Sequence, residues 1–166
     1  MGILSAMSRA LAVPVVLALG LAAPPVQPQA ANRLAPVDRE RDPVRRAKLL
    51  AKLSVGEFSE FRRQAEAANY SEAQRILEGY RDEVLSTEKA LAASRINAER
   101  NPAGFKELQI SLRHGLRQLG ETMVTLTPDE REPFEEIRKE LERADKELIH
   151  QLFPRQPDAA PGKETH

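Results

Sequence analysis

SVGEFSEFRRQAEAANYSEAQRILEGY, residues 54–80, is the stretch from which the architecture follows. Before Asn69, Phe58, Phe61 and Ala65 recur at i, i+3 and i+7, which is helical spacing. After it, Ala73, Ile76, Leu77, Tyr80 and Val84 keep the same rule. Asn69 tolerates left-handed backbone angles and so suits a helix C-terminus, and Ser71 suits the next N-cap. The stretch therefore predicts two helices meeting at a tight turn around Asn69, with later segments packing on them.

Working outward, residues 42–53 predict a first short helix. Asp42 caps, Pro43 takes the first helical position, and Val44, Ala47, Leu50 or Ala51, and Leu53 form its apolar stripe. Ser54 with Glu57 three residues on has the form of a capping box, so the second short helix is expected to begin at Ser54. A third, longer helix is expected from Ser71 to about Ala98 on Ala73, Ile76, Leu77, Tyr80, Val84, Thr87 and Leu91. Asn101-Pro102 predicts the start of a fourth, with Phe105, Leu108, Leu112, Leu116, Leu119, Met123 and Leu126 spaced by threes and fours. It holds Gly115 and Gly120, each costing about 1 kcal/mol relative to Ala. The place of Gly115 beside Leu112 and Leu116 points to a close helix–helix approach. Thr127-Pro128 with Glu130 predicts the fifth helix, on Phe134, Ile137, Leu141, Ala144, Leu148 and Leu152. Pro133 is expected to bend it or delay its start, and Glu135–Lys139 and Glu142–Lys146 pairs to lace its outer face. These elements predict an all-α protein: an antiparallel bundle of three long helices with a short N-terminal helical hairpin.

Composition agrees with helices. Charged residues make up 30% of the 166 and aromatic residues 4%, with no Trp, so the core must be built from Leu, Ile, Ala and a few Phe. Basic and acidic side chains balance at 25 each, leaving no overall field to draw in nucleic acid or anionic lipid. The absence of cysteine excludes disulfides, thiolate nucleophiles and Cys-ligated metals.

The ends have another character. Arg9, the apolar run ALAVPVVLALGL at 10–21 and the small residues after it match a secretory signal peptide over residues 1–22. Twelve residues are too few to span a bilayer. Cleavage is expected after Ala22, Ala23 or as late as Ala30, giving a periplasmic or secreted product with no stable membrane insertion. Residues 23–41, with four prolines, read as a flexible spacer, residues 42–153 as the bundle, and residues 154–166 as a disordered tail.

The turn Ala68-Asn69-Tyr70-Ser71-Glu72-Ala73, with Ile76, Leu77 and Tyr80, resembles the middle of one tetratricopeptide repeat. Ala68 stands where that family commonly has Gly, Phe61 replaces a small residue, and no second copy follows at a 34-residue period; an ordinary αα-hairpin is the alternative. The resemblance implies a binding scaffold without catalysis, for which Phe58, Phe61, Tyr70 and Tyr80 are the candidate interaction surface. If the hairpin instead packs on the bundle, Phe61 and Tyr80 lie between helices, with Phe134 on a distant one. Leu53-Ser54-Val55-Gly56-Glu57 and Leu126-Thr127-Pro128-Asp129-Glu130 resemble the repeated L-T-x-x-Q signature of exported helical stress proteins, which implies an envelope chaperone or a metal-responsive sensor. Capped helix starts would give the same pattern.

Chemistry is sparse. Glu147 and His150 make an E-x-x-H pair, the spacing of helical di-iron sites, but those need a second pair and His114 has Ser111 three before it. There is no phosphate loop and no nucleophile turn. The expectation is a non-catalytic chain with no cofactor and no metal, a protein- or peptide-interaction module or a structural module of the cell envelope, which binds no nucleic acid.

Overall fold

A computed structural model of the chain describes residues 33–154; the expected signal peptide, most of the expected spacer and the expected tail beyond Pro154 lie outside the described residues. Every element in this range is helical: α1 (Ala35–Arg39), α2 (Pro43–Glu66), α3 (Tyr70–Ala93), α4 (Phe105–Val124) and α5 (Pro128–Leu152). Among the described residues no helix is long and apolar enough to cross a membrane.

The all-α expectation holds, but the division into helices differs. The two short N-terminal helices are one, α2, of 24 residues, so four long helices form the bundle. Ser54 does not break the chain because its hydroxyl donates back to the Ala51 carbonyl at 2.8 Å and is hydrogen-bonded at 2.6 Å to the Ser111 hydroxyl of α4. A serine satisfied in this way continues a helix whose buried stripe runs unbroken through Ala47, Leu50, Ser54, Phe58, Phe61 and Ala65. Glu57 is accordingly no cap; it is a buried residue in mid-helix. Helix α1 lies within the expected spacer, too short to show a period, and inserts the buried Leu34 and Val37.

The termini follow capping chemistry with some shifts. Asp42 caps α2 as expected, accepting from the Arg45 N–H at 2.8 Å. The left-handed residue that ends α2 is Ala68 (φ 58°) and not Asn69. The Ala68 N–H reaches the Ala65 carbonyl and the Asn69 N–H the Gln64 carbonyl, the two bonds of a Schellman end. Asn69 therefore precedes α3 directly, and Ser71 lies inside the helix. Helix α3 stops at Ala93, before another left-handed residue, Arg95. Helix α4 starts after Gly104 rather than at Pro102: Gly104 has φ +86°, its N–H donates to Glu107 at 2.7 Å, and a Cβ there would lie 3.0 Å from Val44 Cα. Helix α5 begins where expected, with the Thr127 N–H donating to Glu130 at 3.0 Å, and continues through Pro133. Its outer ion pairs are Arg138–Glu142 and Lys139–Glu136 instead of the two expected, since rotamers reach i+3 and i+4 partners equally well.

Three-residue turns at 67–69 and 125–127 force α2–α3 and α4–α5 into adjacent antiparallel hairpins. The eleven residues 94–104 are long enough to cross the bundle, so α3 and α4 sit diagonally and α2 packs beside α4. Val44 meets Gly104, Ser54 meets Ser111, and Phe58 meets the Gly115 position, so α2 and α4 run parallel. Arg81–Glu140 and Glu88–Gln151 give α3 and α5 the same sense. Two hairpins thus stack the same way up around one core. Its centre is aromatic: Phe58 and Tyr80 meet edge to face at 4.9 Å between centroids, and Phe61 and Phe134 at 5.7 Å.

Candidate functional site

Phe58, Phe61 and Tyr80 are fully buried core side chains, so they form no surface. Tyr70 is half-buried and packs against the same core. Phe58, Phe61 and Tyr80 hold the hairpins together and are not presented to a partner. Glu147, His150 and His114 are exposed, with Glu147 accepting from Gln151 and His114 hydrogen-bonded to Arg117. Among the described residues no three acidic or histidine side chains converge closely enough to hold a metal ion.

The arrangement that does converge was not legible as a site. Helix α1 lies across the groove between α2 and α3, antiparallel to α2: Arg33 reaches Glu60 at 3.5 Å, and Asp38 reaches Arg46 at 3.7 Å. Beside α1 this leaves a cleft of about 330 Å³. Among the described residues its lining is apolar at Leu34 and Ile76 and acidic at Asp38, Glu57, Glu78, Asp82 and Glu83, with the exposed Gly79 at its edge and Arg75 the one cation in the lining. Five carboxylates face one opening in a chain whose charges balance as a whole.

The cations nearby are mostly engaged. Arg46 pairs with Glu83 at 2.9 Å and Arg81 with Asp82 at 2.8 Å. Arg75 holds Glu72. Arg33 and Arg63 both reach Glu60; the Arg63 and Gln64 hydrogen bonds hold the Glu60 carboxyl at about 2. Burial pushes Glu83 upward and the neighbouring Asp38 carboxyl adds to this, against the pull of Arg46.

Glu57 stands apart from these pairs. Only 2% of it is exposed, and its Oε1 atom meets no donor among the described residues. Burial pushes its carboxyl above the ordinary range and Glu60 adds to this, while Arg33 and Arg75 pull it back without closing an ion pair. An unpaired buried charge disfavours the fold. A carboxyl raised in this way makes the native state bind its proton more readily than the unfolded chain. The stability this contributes is complete below the unfolded value and is lost as pH rises through the folded one. Glu57→Gln is therefore expected to stabilise the protein at pH 7, by about 1 kcal/mol, and the advantage should shrink as the pH falls. Thermal melts of both proteins from pH 4 to 8 measure it; a lower midpoint for the variant at pH 7 would contradict the electrostatic reading.

No protein-family model matches the chain, and neither a curated protein nor a solved structure is similar to it.

Proposed function

We propose that this chain is an exported, non-catalytic interaction module, and that the acidic cleft bounded by α1, α2 and α3 docks a basic segment of a protein or peptide partner. The observation that carries the reading is the gathering of five carboxylates around one opening, with Leu34 and Ile76 in the same lining. Such a cleft suits a cationic side chain: the stem lies on Leu34 and Ile76, and the charged head meets the wall. Rim charges steer a partner into place, and Asp38 and Asp82, both about two-thirds exposed, are set to do this. Export is read from the first 22 residues and places the module in the periplasm or outside the cell. The antiparallel hairpin α2–α3, the segment that resembles a tetratricopeptide repeat, supplies the long walls of the cleft.

The test is fluorescence anisotropy with a labelled oligolysine peptide and an oligoglutamate control. The oligolysine peptide should bind, and oligoglutamate should not. Paired charge reversal at Glu78→Lys and Asp82→Lys should weaken binding about tenfold, as should added salt. Equal binding of both peptides, or no binding of oligolysine, rejects the docking role.

A further inference from the structure

Within the acidic cleft, one atom is not accounted for by general attraction to cations. Glu57 lies at the inner end of the wall, nearly sealed from solvent, with Oε1 lacking any donor among the described residues. Exposed carboxylates gain their affinity for cations through water and choose poorly among them. A buried acceptor must be matched by a donor that surrenders its own hydration cheaply. Guanidinium is more weakly hydrated than ammonium, and its planar fork offers five N–H donors to several acceptors at once. The cleft has that form: Glu57 inside, Asp38, Glu78, Asp82 and Glu83 around the opening, and Leu34 and Ile76 where a methylene stem would lie. Gly79 is exposed, and among the described residues a Cβ built on it meets nothing within 4 Å, so the cleft is open along that edge. A divalent metal is a poor fit, because no three carboxylates among the described residues converge on one point.

We propose that the cleft between α1, α2 and α3 is a receptor for a guanidinium group, the side chain of an arginine in the partner, with Glu57 as the buried acceptor that distinguishes it from an ammonium. This deepens the docking role and rests on it.

Two small probes with the same stem, n-butylguanidinium and n-butylammonium, separate the head groups. They are titrated into the full chain, freed of any signal peptide, with binding followed by calorimetry and by amide chemical shifts. Butylguanidinium should bind saturably, more tightly than butylammonium, with shifts confined to α1, the middle of α2 and the first half of α3. Glu57→Gln should weaken it about 10–100-fold, the value of a charge-assisted hydrogen bond. Folding of that variant is checked by its melt. Gly79→Leu, which places a side chain over the open edge of the cleft and improves helix propensity, should weaken binding at least about tenfold without unfolding the protein. No saturable binding of butylguanidinium, a preference for butylammonium, or an unchanged affinity in Glu57→Gln would overturn the proposal. The oligolysine measurement distinguishes the two levels. If oligolysine binds and butylguanidinium is indifferent to Glu57, the docking role stands and the guanidinium seat fails. If neither binds, both fail.

Discussion

Phe61→Ala is expected to lower the stability of the whole bundle by about 3–5 kcal/mol, the usual cost of truncating a buried Phe through lost transfer energy and a cavity. A domain of this size has only some 5–15 kcal/mol to lose. Phe61 is completely buried, and its ring meets Phe58 at 6.3 Å and Phe134 at 5.7 Å between centroids, both edge to face. The second of these contacts changes the design of the experiment. From spacing alone Phe134 stands on a distant helix and looks like an independent control; in the fold it is the partner of Phe61. Phe134→Ala should therefore have a similar effect, and the double variant should fall short of the sum by about 0.5–1.5 kcal/mol, the range measured for aromatic pairs. Circular dichroism melts and urea titrations of the three variants give the cycle. Strict additivity would mean that the rings do not couple, and an unchanged melt for Phe61→Ala would refute its place in the core.

Gly115→Leu is the second large effect expected. A Cβ at this position would lie 2.3 Å from Cε2 and 2.4 Å from Cζ of Phe58. The ring already meets Phe61 and Tyr80 edge to face. Overpacking of this kind costs about 1–3 kcal/mol for modest insertions and more where nothing can shift. Even Gly115→Ala should destabilise, although the same change at an unhindered helix site gains about 1 kcal/mol. Gly120→Ala is that unhindered case, since among the described residues nothing lies within 4 Å of its Cβ. Phe58→Leu should partly rescue Gly115→Ala by removing the ring edge. A Gly115→Ala protein as stable as Gly120→Ala would show that α2 and α4 do not approach as closely as described.

These two glycines show where local pattern suffices and where it fails. Spacing locates both on the same helix, and the neighbouring leucines already point to Gly115 as the close approach. What touches it depends on a helix some 57 positions earlier, and no local rule supplies that. The apolar stripes of α3, α4 and α5 were legible almost residue by residue, because a continuous face must be buried whatever covers it. Ser54 and Glu57 were not. The S-x-x-E pattern is satisfied equally by a helix start and by chance within a helix, and Ser111, which decides between them, is remote in sequence. A carboxylate at a stripe position, between Ser54 and Phe61, was the one available sign that Glu57 is turned inward. Asp38 could not be assigned to a site because its helix is five residues long, below any periodicity.

The long 94–104 segment, which carries the chain diagonally from one hairpin to the other, has a further consequence for how the molecule assembles. Each hairpin is closed by a three-residue turn and is built from near neighbours in the chain. The shared core forms only when the two dock, and this segment alone makes docking a first-order event. Its length matters weakly: doubling a flexible connection costs only about 0.6 kcal/mol, so insertions there should be tolerated unless they disturb the buried Ala98. Its continuity matters greatly, because cutting it would turn docking into an encounter between two separate chains. The protein would then be as stable as its concentration allows.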